Sequence, residues 1–177
     1  MRFLPTAIEG VWILELEPIG DARGFFARTF CREAFAARGM NAHVSQCNLS
    51  YNAERGTLRG MHWQSDPAPE AKVVRCVRGA LHDVVVDVRE GSPTRHRHVG
   101  VELSAANRRA LYVPEHVAHG FQTLEDDTEI LYQISAPYTP EAARGLRHDD
   151  PALGIDWPLP PAALSPRDAA WPLLGDG

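Results

Sequence analysis

The sequence has few cysteines, no long apolar run and no block of charge of one sign. Its three cysteines, Cys31, Cys47 and Cys76, are odd in number and widely spaced. This pattern fits neither a disulfide framework nor a four-ligand zinc site, so we expect reduced thiols. Proline and glutamate interrupt the N-terminal apolar residues, which are therefore too short for a signal peptide or a membrane span. We expect a cytoplasmic protein with no membrane partner.

The charges exclude one class of partner and leave another open. The chain carries 18 basic and 23 acidic residues, and the two signs are interspersed. Binding to nucleic acid needs a clustered basic stripe, so no nucleic acid partner is expected. A local cluster of arginines and lysines can still bind a phosphorylated small molecule. The 177 residues, 44% of them hydrophobic, suffice for one core, and we expect a single domain over residues 1–177.

Short segments rich in valine, isoleucine and aromatic residues recur along the chain, separated by clusters of Gly, Asn, Asp and Pro. This spacing is typical of a sandwich or barrel, so the predicted fold class is mainly β. We expect a hairpin around Gly79, because glycine adopts the positive φ of a tight connection, and a second hairpin after it. The predicted strands form a meander of residues 73–77, 81–89, 99–103, 110–113, 120–124 and 129–135.

Little helix is expected, and the C-terminal part reads as coil. An alanine-rich stretch at residues 32–38, ending before Gly39, predicts one short peripheral helix. From Pro151 onward the sequence is rich in proline, which is disfavoured in central strands. Apolar residues such as Trp157 and Leu164 predict that this tail wraps the body as ordered coil. The alternative is a disordered extension.

Several segments, taken together, resemble the dTDP-4-dehydrorhamnose 3,5-epimerase family. They are QCNLSYNAERGTLRGMHWQ at residues 46–64, AHGF at 118–121, LYQISAPYTP at 131–140, DARGFFARTF at 21–30, KVVRCVRGALHDVVVDVREGSPT at 72–94, DPALGIDWP at 150–158 and LSPRD at 164–168. No single motif is decisive, but their joint order is specific and covers nearly the whole chain. The resemblance implies a cupin jelly-roll barrel enclosing a ligand cavity, in agreement with the strand pattern.

The resemblance also implies an activity and the residues that perform it. The family's reaction is epimerisation of a nucleotide-linked 4-keto-6-deoxy sugar, most commonly at both C3 and C5, without a cofactor. A base must remove a proton beside the ketone, and a separate acid must return one to the opposite face. By similarity His62 is the base, Asp168 orients it, and Tyr132 is the proton donor. Lys72 matches a lysine that stabilises the charge developing on the ketone oxygen.

Further residues match substrate contacts of the family. Arg23 and Arg59 match arginines that hold the diphosphate, since a planar guanidinium can bind two phosphate oxygens at once. The other matching substrate-binding residues are Gln46, Asn48, His119 and Tyr138. Family members pair as homodimers in which N-terminal residues complete the neighbour's site, so Arg23 is expected to act across the interface.

The chain departs from the family pattern at a few positions. Family members often have glutamates where this chain has Arg28 and Ala143, and a lysine where it has Arg167. Replacing two carboxylates by a cation and a methyl group changes which donors a cavity accepts. The identity of the nucleotide and sugar is therefore open, as is inversion of C3 or C5 alone in a different nucleotide deoxysugar.

Two other functions compete with this interpretation. His96, His98 and Glu102, with His119 downstream, have the spacing of a cupin metal site and would indicate a metal-dependent oxygenase or isomerase. Alternate residues share one face of a strand, so the neighbouring apolar residues should face the core and these histidines solvent. We therefore expect no metal. The other alternative is a non-catalytic sugar-nucleotide binding protein, because a fold does not fix a function.

Overall fold

The computed structural model describes residues 1–174, which form thirteen strands, two short helices and a 3₁₀ turn. The strands are β1 (Arg2–Pro5), β2 (Trp12–Glu15), β3 (Ile19–Asp21), β4 (Gly24–Phe26), β5 (Gln46–Asn52), β6 (Leu58–Gln64), β7 (Lys72–Arg78), β8 (Ala80–Asp87), β9 (His98–Ser104), β10 (Ala110–Val113), β11 (Val117–Thr123), β12 (Thr128–Ile134) and β13 (Ala143–Gly145). The helices are α1 (Arg32–Ala36) and α2 (Pro166–Ala169), and the 3₁₀ turn is Pro140–Ala142. None of the helices in this part of the chain is long and apolar enough to cross a membrane.

Two antiparallel sheets pack face to face. The first has the strand order β1-β2-β10-β7-β12-β5, and the second β13-β6-β11-β8-β9. Strands β3 and β4 form a separate two-stranded hairpin. The inner faces of both sheets contribute the main core, in which Val74 and Ile130 from the first sheet meet Val85, Leu103 and Phe121 from the second. The predicted mainly-β class and jelly-roll architecture are confirmed.

The predicted pairing of the strands is wrong, although the strands themselves are present. Strands β7 and β8 do not form a hairpin around Gly79, because β7 pairs with β10 and β12 while β8 pairs with β9 and β11. Strands β9 and β10 likewise lie in different sheets, as do β11 and β12. Gly79, at φ +73°, turns the chain from one sheet to the other, and a Cβ there would lie 2.5 Å from Thr128 Oγ1. Each of these connections therefore crosses the sandwich, and of the neighbouring strands in the predicted meander only β8 and β9 pair.

A buried carboxylate holds the loop that follows β8. Asp87 is fully buried and accepts hydrogen bonds from the Arg89 guanidinium at 2.8 and 2.9 Å and from the Ser92 and Thr94 hydroxyls at 2.6 Å each. Burial alone would raise the pKa of Asp87, but these hydrogen bonds outweigh it and lower that pKa. The segment DVREGSPT is thus ordered by one ionised side chain.

The helix and the tail lie outside the barrel but pack against it. Helix α1 places Phe35 in a second core cluster with Leu14 and Tyr112 on the outer side of the first sheet. In the tail, Leu153 is buried, and Trp157 donates to the carbonyl oxygen of His148 at 2.8 Å. The part of the tail up to residue 174 is therefore ordered on the barrel, as predicted, and the helix α2 within it was not anticipated.

Candidate active site

A cavity of about 710 Å³ opens between the inner faces of the two sheets. Each sheet contributes one row of side chains to its walls. On the first sheet, Tyr132 pairs with Asn48 on β5. On the second, His62 on β6 pairs with His119 on β11. Residues 163–165 and 167–168 of the tail complete the lining. The cavity thus lies where the jelly roll predicts a ligand site.

A β-bulge turns two of these residues into the cavity. His119 pairs with His62, and Phe121 pairs with Arg59, so β6 has one more residue than β11 in this stretch. In a regular strand, Arg59 and His62 would point to opposite faces because their separation is odd. The bulge brings both to the cavity wall. Gly60, within it, has φ +116°, and a Cβ there would lie 2.5 Å from the Cα of Gly120.

His62 and Asp168 form a hydrogen-bonded pair. Nε2 of His62 lies 2.5 Å from Oδ1 of Asp168, across a separation of 106 residues. The second carboxylate oxygen accepts from the backbone amide of Gly60 at 3.3 Å, and Ser165 caps α2 by accepting from the Asp168 amide at 3.0 Å. Nδ1 of His62 makes no hydrogen bond to any described residue, which leaves it available to a ligand.

The carboxylate of Asp168 is held in its ionised form. Burial raises the pKa of this group, but the hydrogen bond and charge of His62, together with the Gly60 amide and the Ser165 side chain, outweigh burial and lower the pKa. An ionised carboxylate accepts a hydrogen bond from the N–H at Nε2 of the ring, so it favours the tautomer whose Nδ1 lone pair is free. That tautomer is the one a general base requires.

Tyr132 projects from the opposite sheet. Its ring meets that of His119 edge to face, with centroids 6.2 Å apart, and Nε2 of His119 lies 2.6 Å from Oδ1 of the buried Asp83. Burial, reinforced by the Asp83 charge and opposed by Arg59, raises the pKa of Tyr132 far above its ordinary value. The phenol therefore keeps its proton at neutral pH, as a general acid must.

Lys72 lies at the start of β7 and is ion-paired inside the cavity. Its Nζ is 2.8 Å from Oε1 of Glu70, and the two side chains are only 10% and 9% exposed. Lys72 pairs across the strands with Ile134, and Val74 pairs with Tyr132 in the next row. The ammonium group therefore lies on the same wall as the phenol.

The remaining predicted contacts, with one exception, also line this cavity. Gln46, Asn48 and Arg59 face it, and Arg59 donates to Oδ1 of Asn52 at 2.8 Å. At one end, Tyr138 lies beside Arg167, whose guanidinium donates to the tyrosine hydroxyl at 3.3 Å. This end combines an exposed aromatic ring with a cation, the groups that stack on a base and bind a phosphate.

Arg23 is the exception, because it does not line the cavity of its own chain. It lies in the turn between β3 and β4, where its side chain is 89% exposed and paired with Asp21. The hairpin exposes Ile19 and Phe26 at 75% and 71%. Such exposed apolar residues indicate a surface that another molecule covers.

The positions that depart from the family pattern differ in their place. Ala143 lines the cavity next to Arg144, whereas Arg28 is exposed and lies outside it, close to Glu33. Arg167 stacks its guanidinium over Trp171, 5.1 Å from the ring centroid. The side chain at position 143 therefore forms part of the wall of this cavity, whereas the side chain at position 28 does not.

The residues with metal-site spacing do not converge. Val101 and Leu103 lie in the core and Glu102 is exposed, as the alternation predicted. The histidines do not face open solvent as expected, because His98 is half-buried against the tail, with Nδ1 3.0 Å from the carbonyl oxygen of Leu153. Of the four candidate ligands, only His119 is among the described residues that line the cavity. Within residues 1–174, no group of three or more His, Cys, Asp or Glu side chains is arranged to hold a metal ion.

Sequence reasoning missed several residues of the site. Glu70, Arg144 and Ser165 line the cavity, and Trp171 lies edge to face against His62 with ring centroids 6.2 Å apart. Trp171 also covers Gly145, where a Cβ would lie 2.1 Å from the indole. Glu70 precedes Lys72 by two residues, a spacing that in sequence indicates an ordinary pair of surface charges. Only the structure shows that both side chains are buried.

Comparisons with known proteins agree with this geometry. Residues 5–176 match the family model described as dTDP-4-dehydrorhamnose 3,5-epimerase. The chain is 45% identical over 175 residues to the dTDP-4-dehydrorhamnose 3,5-epimerase of Sinorhizobium fredii, covering 98% of this chain and 90% of that protein. It is 42% identical over 177 residues to the dTDP-4-dehydrorhamnose 3-epimerase of Streptomyces niveus, covering 99% and 85%. The crystal structure of the dTDP-6-deoxy-D-glucose-3,5-epimerase of Legionella pneumophila, in complex with dTDP-4-keto-L-rhamnose, superposes with a TM-score of 0.91 at 38% identity, covering 98% and 93%.

Proposed function

Because the chain belongs to the dTDP-4-dehydrorhamnose 3,5-epimerase family, we propose that it inverts C3 and C5 of dTDP-4-dehydro-6-deoxy-D-glucose to give dTDP-4-dehydro-L-rhamnose. The enzyme is an isomerase. One observation carries the proposal: an imidazole with a free nitrogen and a protonated phenol project from opposite sheets into one cavity. Inversion needs a base and an acid on opposite faces of the sugar, and a binding protein needs neither.

The proposed reaction proceeds through an enolate. Nδ1 of His62 takes the proton from the carbon beside the ketone, and the C–H electron pair forms a carbon–carbon double bond as the carbonyl becomes an oxyanion. The Lys72 ammonium stabilises that oxyanion. Tyr132 then donates its proton to the opposite face of the carbon, and the enolate electrons form the new C–H bond. The phenolate and the imidazolium return to their starting protonation states by exchange with solvent.

The same cavity supports the substrate class. Arg59, Arg144 and Arg167 line it together with Lys72, and guanidinium groups bind diphosphate oxygens in pairs. The exposed ring of Tyr138 beside Arg167 supports stacking of this ring on the nucleotide base. A ligand carrying a diphosphate, a keto sugar and a base matches this arrangement of cations, proton-transfer groups and aromatic ring.

Deuterium incorporation tests the proposal. The protein is incubated with dTDP-4-dehydro-6-deoxy-D-glucose in heavy water, and the C3 and C5 proton signals are followed by NMR. Exchange at both positions with formation of the L-sugar is expected, and the His62→Ala variant should abolish exchange. No exchange in the parent protein would favour a non-catalytic binding protein, and an active His62→Ala variant would overturn the assigned base.

A second function is favoured by one specific observation. The similar Streptomyces niveus protein is a dTDP-4-dehydrorhamnose 3-epimerase, and its sequence identity to this chain, 42%, is close to the 45% of the Sinorhizobium fredii 3,5-epimerase. The same experiment separates the two, because a 3-epimerase incorporates deuterium at C3 and yields a product inverted there alone. Ala143 and Arg144 line the wall that would bear on such a difference in substrate.

We further propose a homodimer in which the β3–β4 hairpin completes the partner's cavity. The exposed Ile19 and Phe26 support this, and so does the position of Arg23, an expected diphosphate ligand that lies outside its own cavity. Strand β5, at the edge of the first sheet, adds the exposed apolar residues Leu49 and Tyr51. An edge strand with exposed apolar residues is a common site of pairing with another chain.

Mixing two inactive variants tests the shared site. Arg23→Ala and His62→Ala proteins are expected to be weakly active or inactive alone, because each lacks one part of every site. Mixed and allowed to exchange subunits, they should regain activity, since one site of each heterodimer then has both residues. Light scattering should show the dimer mass. No recovery in a mixture that has exchanged subunits would refute the shared site.

A single domain and a cytoplasmic location stay predictions from the sequence.

A further inference from the structure

We propose that Glu70 is a positioning residue that fixes the Lys72 ammonium for the enolate oxygen. The inference rests on the proposed function. Glu70 lies two residues before Lys72, and the two charges are 2.8 Å apart inside the cavity. Both side chains are about nine-tenths buried, so solvent screens the pair weakly. Glu70 therefore acts through Lys72 and need not contact the sugar.

The charges of the cavity explain why a carboxylate is present there at all. A cavity for a diphosphate should exclude anions, and among the described lining residues only Glu70 and Asp168 are acidic. Each is paired with a candidate catalytic group, Asp168 with His62 and Glu70 with Lys72. An unpaired carboxylate at either position would repel the substrate and cost desolvation energy. Each of the two acids is therefore the partner of one candidate catalytic group, His62 or Lys72.

The ion pair preorganises a flexible cation. A lysine side chain has four rotatable bonds, and its ammonium is strongly hydrated, so without an acceptor it would sample many orientations. Glu70 occupies one direction around Nζ and leaves the other N–H donors of the ammonium for a ligand. Because Lys72 lies one row from Tyr132 on the same wall, those donors lie near the point where the enolate is reprotonated. Stabilisation by a group oriented before the reaction needs no reorganisation when charge develops.

A double-mutant cycle tests whether Glu70 acts through Lys72. The four proteins are the parent, Glu70→Gln, Lys72→Met and the double variant, compared by kcat, KM and deuterium exchange with dTDP-4-dehydro-6-deoxy-D-glucose. Loss of a charge-stabilising group costs roughly 100-fold in kcat, and loss of its orientation should cost about 10-fold with KM changed less than about 3-fold. The double variant should be no slower than Lys72→Met, because no ammonium remains to be positioned.

The controls separate this inference from its premise. Glu90→Gln makes the same chemical change at an exposed position and should retain parental kcat. Thermal unfolding and the affinity for dTDP show whether each variant is folded, and if Glu70→Gln is not, Glu70→Asp replaces it in the cycle. An inactive parent protein would sink the proposed function itself. An active parent with unchanged kcat in Glu70→Gln, or losses that multiply in the double variant, would overturn the role of Glu70 alone.

Discussion

Exchanging Asp168 for asparagine should disable the base while leaving the cavity intact. The carboxylate accepts two hydrogen bonds at once, from Nε2 of His62 at 2.5 Å and from the Gly60 amide at 3.3 Å. Asparagine has one acceptor and one donor group in the same space. If its oxygen faces Gly60, its NH₂ group donates to Nε2 and moves the imidazole proton to Nδ1, so the base is lost. If its oxygen faces His62, two donors meet at Gly60.

The size of the effect follows from the tautomer. A base held in the wrong tautomer loses roughly 100- to 10,000-fold in rate, as the corresponding change in a serine protease triad illustrates. At about 1.4 kcal/mol for each factor of ten, this is about 3 to 5.5 kcal/mol of transition-state stabilisation. The carboxylate of the parent enzyme should stay ionised well below neutral pH, since its pKa is lowered. The loss in Asp168→Asn is therefore expected across the whole neutral range.

The assay is deuterium exchange at C3 and C5, with Asp156→Asn as the matched control. Asp156 lies in the same tail, is exposed, and undergoes the same chemical change. The control should exchange at the parental rate, and the affinity of Asp168→Asn for dTDP should stay within about 3-fold of the parent, because binding does not use the tautomer. A folded Asp168→Asn protein that exchanges nearly as fast as the parent would refute the dyad.

Three further predictions concern the acid, the bulge and the stability of the barrel. Tyr132→Phe should still wash deuterium into the substrate but form little inverted product, and normal product formation would remove the phenol from the mechanism. Gly60→Ala should lower the free energy of unfolding, measured by urea denaturation, by about 2–4 kcal/mol, because the new Cβ would lie 2.5 Å from the Cα of Gly120. The control Gly91→Ala also has positive φ but has open space around its Cβ, and it should cost only about 1 kcal/mol. Equal losses in the two glycine variants would contradict the close approach. Asp87→Asn should cost about 2–4 kcal/mol at neutral pH. Because the pKa of Asp87 is lowered in the folded state, its carboxylate stabilises the fold to the full extent only above its unfolded pKa of about 3.9. The difference in free energy of unfolding between the parent and Asp87→Asn should therefore shrink as pH falls below about 4. A difference that does not change with pH would refute the role of the charge.

The sequence was sufficient to predict six of the thirteen strands, β7 to β12, but not most of their partners. The segments around Val74, Val85 and Val101 are strands as predicted, because their apolar composition marks buried extended chain. Which sheet a strand joins depends on whether the preceding connection folds back as a hairpin or crosses to the other sheet. A single glycine with positive φ occurs in both kinds of connection, so the sequence does not distinguish them. Gly79 was therefore assigned to a hairpin, whereas its contact with Thr128 shows a crossing between sheets.

The site was predicted mainly through its motifs. Neither composition nor periodicity distinguishes His62 from a core histidine, and its partner Asp168 is 106 residues away. The family pattern brought them together, and the structure places both in one cavity with Tyr132. Glu70 escaped notice because the sequence does not show that it is buried. Arg23 lies outside the cavity of its own chain, and the proposed homodimer would account for that position.

The position of Asp168 has a consequence for incomplete forms of the enzyme. The strands of the barrel end with β13, yet Asp168, the proposed partner of the base, follows more than twenty residues later on helix α2. The segment just before this helix is held to the barrel where the backbone amide of Leu58 donates to the carbonyl oxygen of Ala163. A chain clipped by a protease before that helix would retain most cations of the pocket. It would then sequester nucleotide sugar without converting it, and so act as a competitor of the intact enzyme for the shared metabolite.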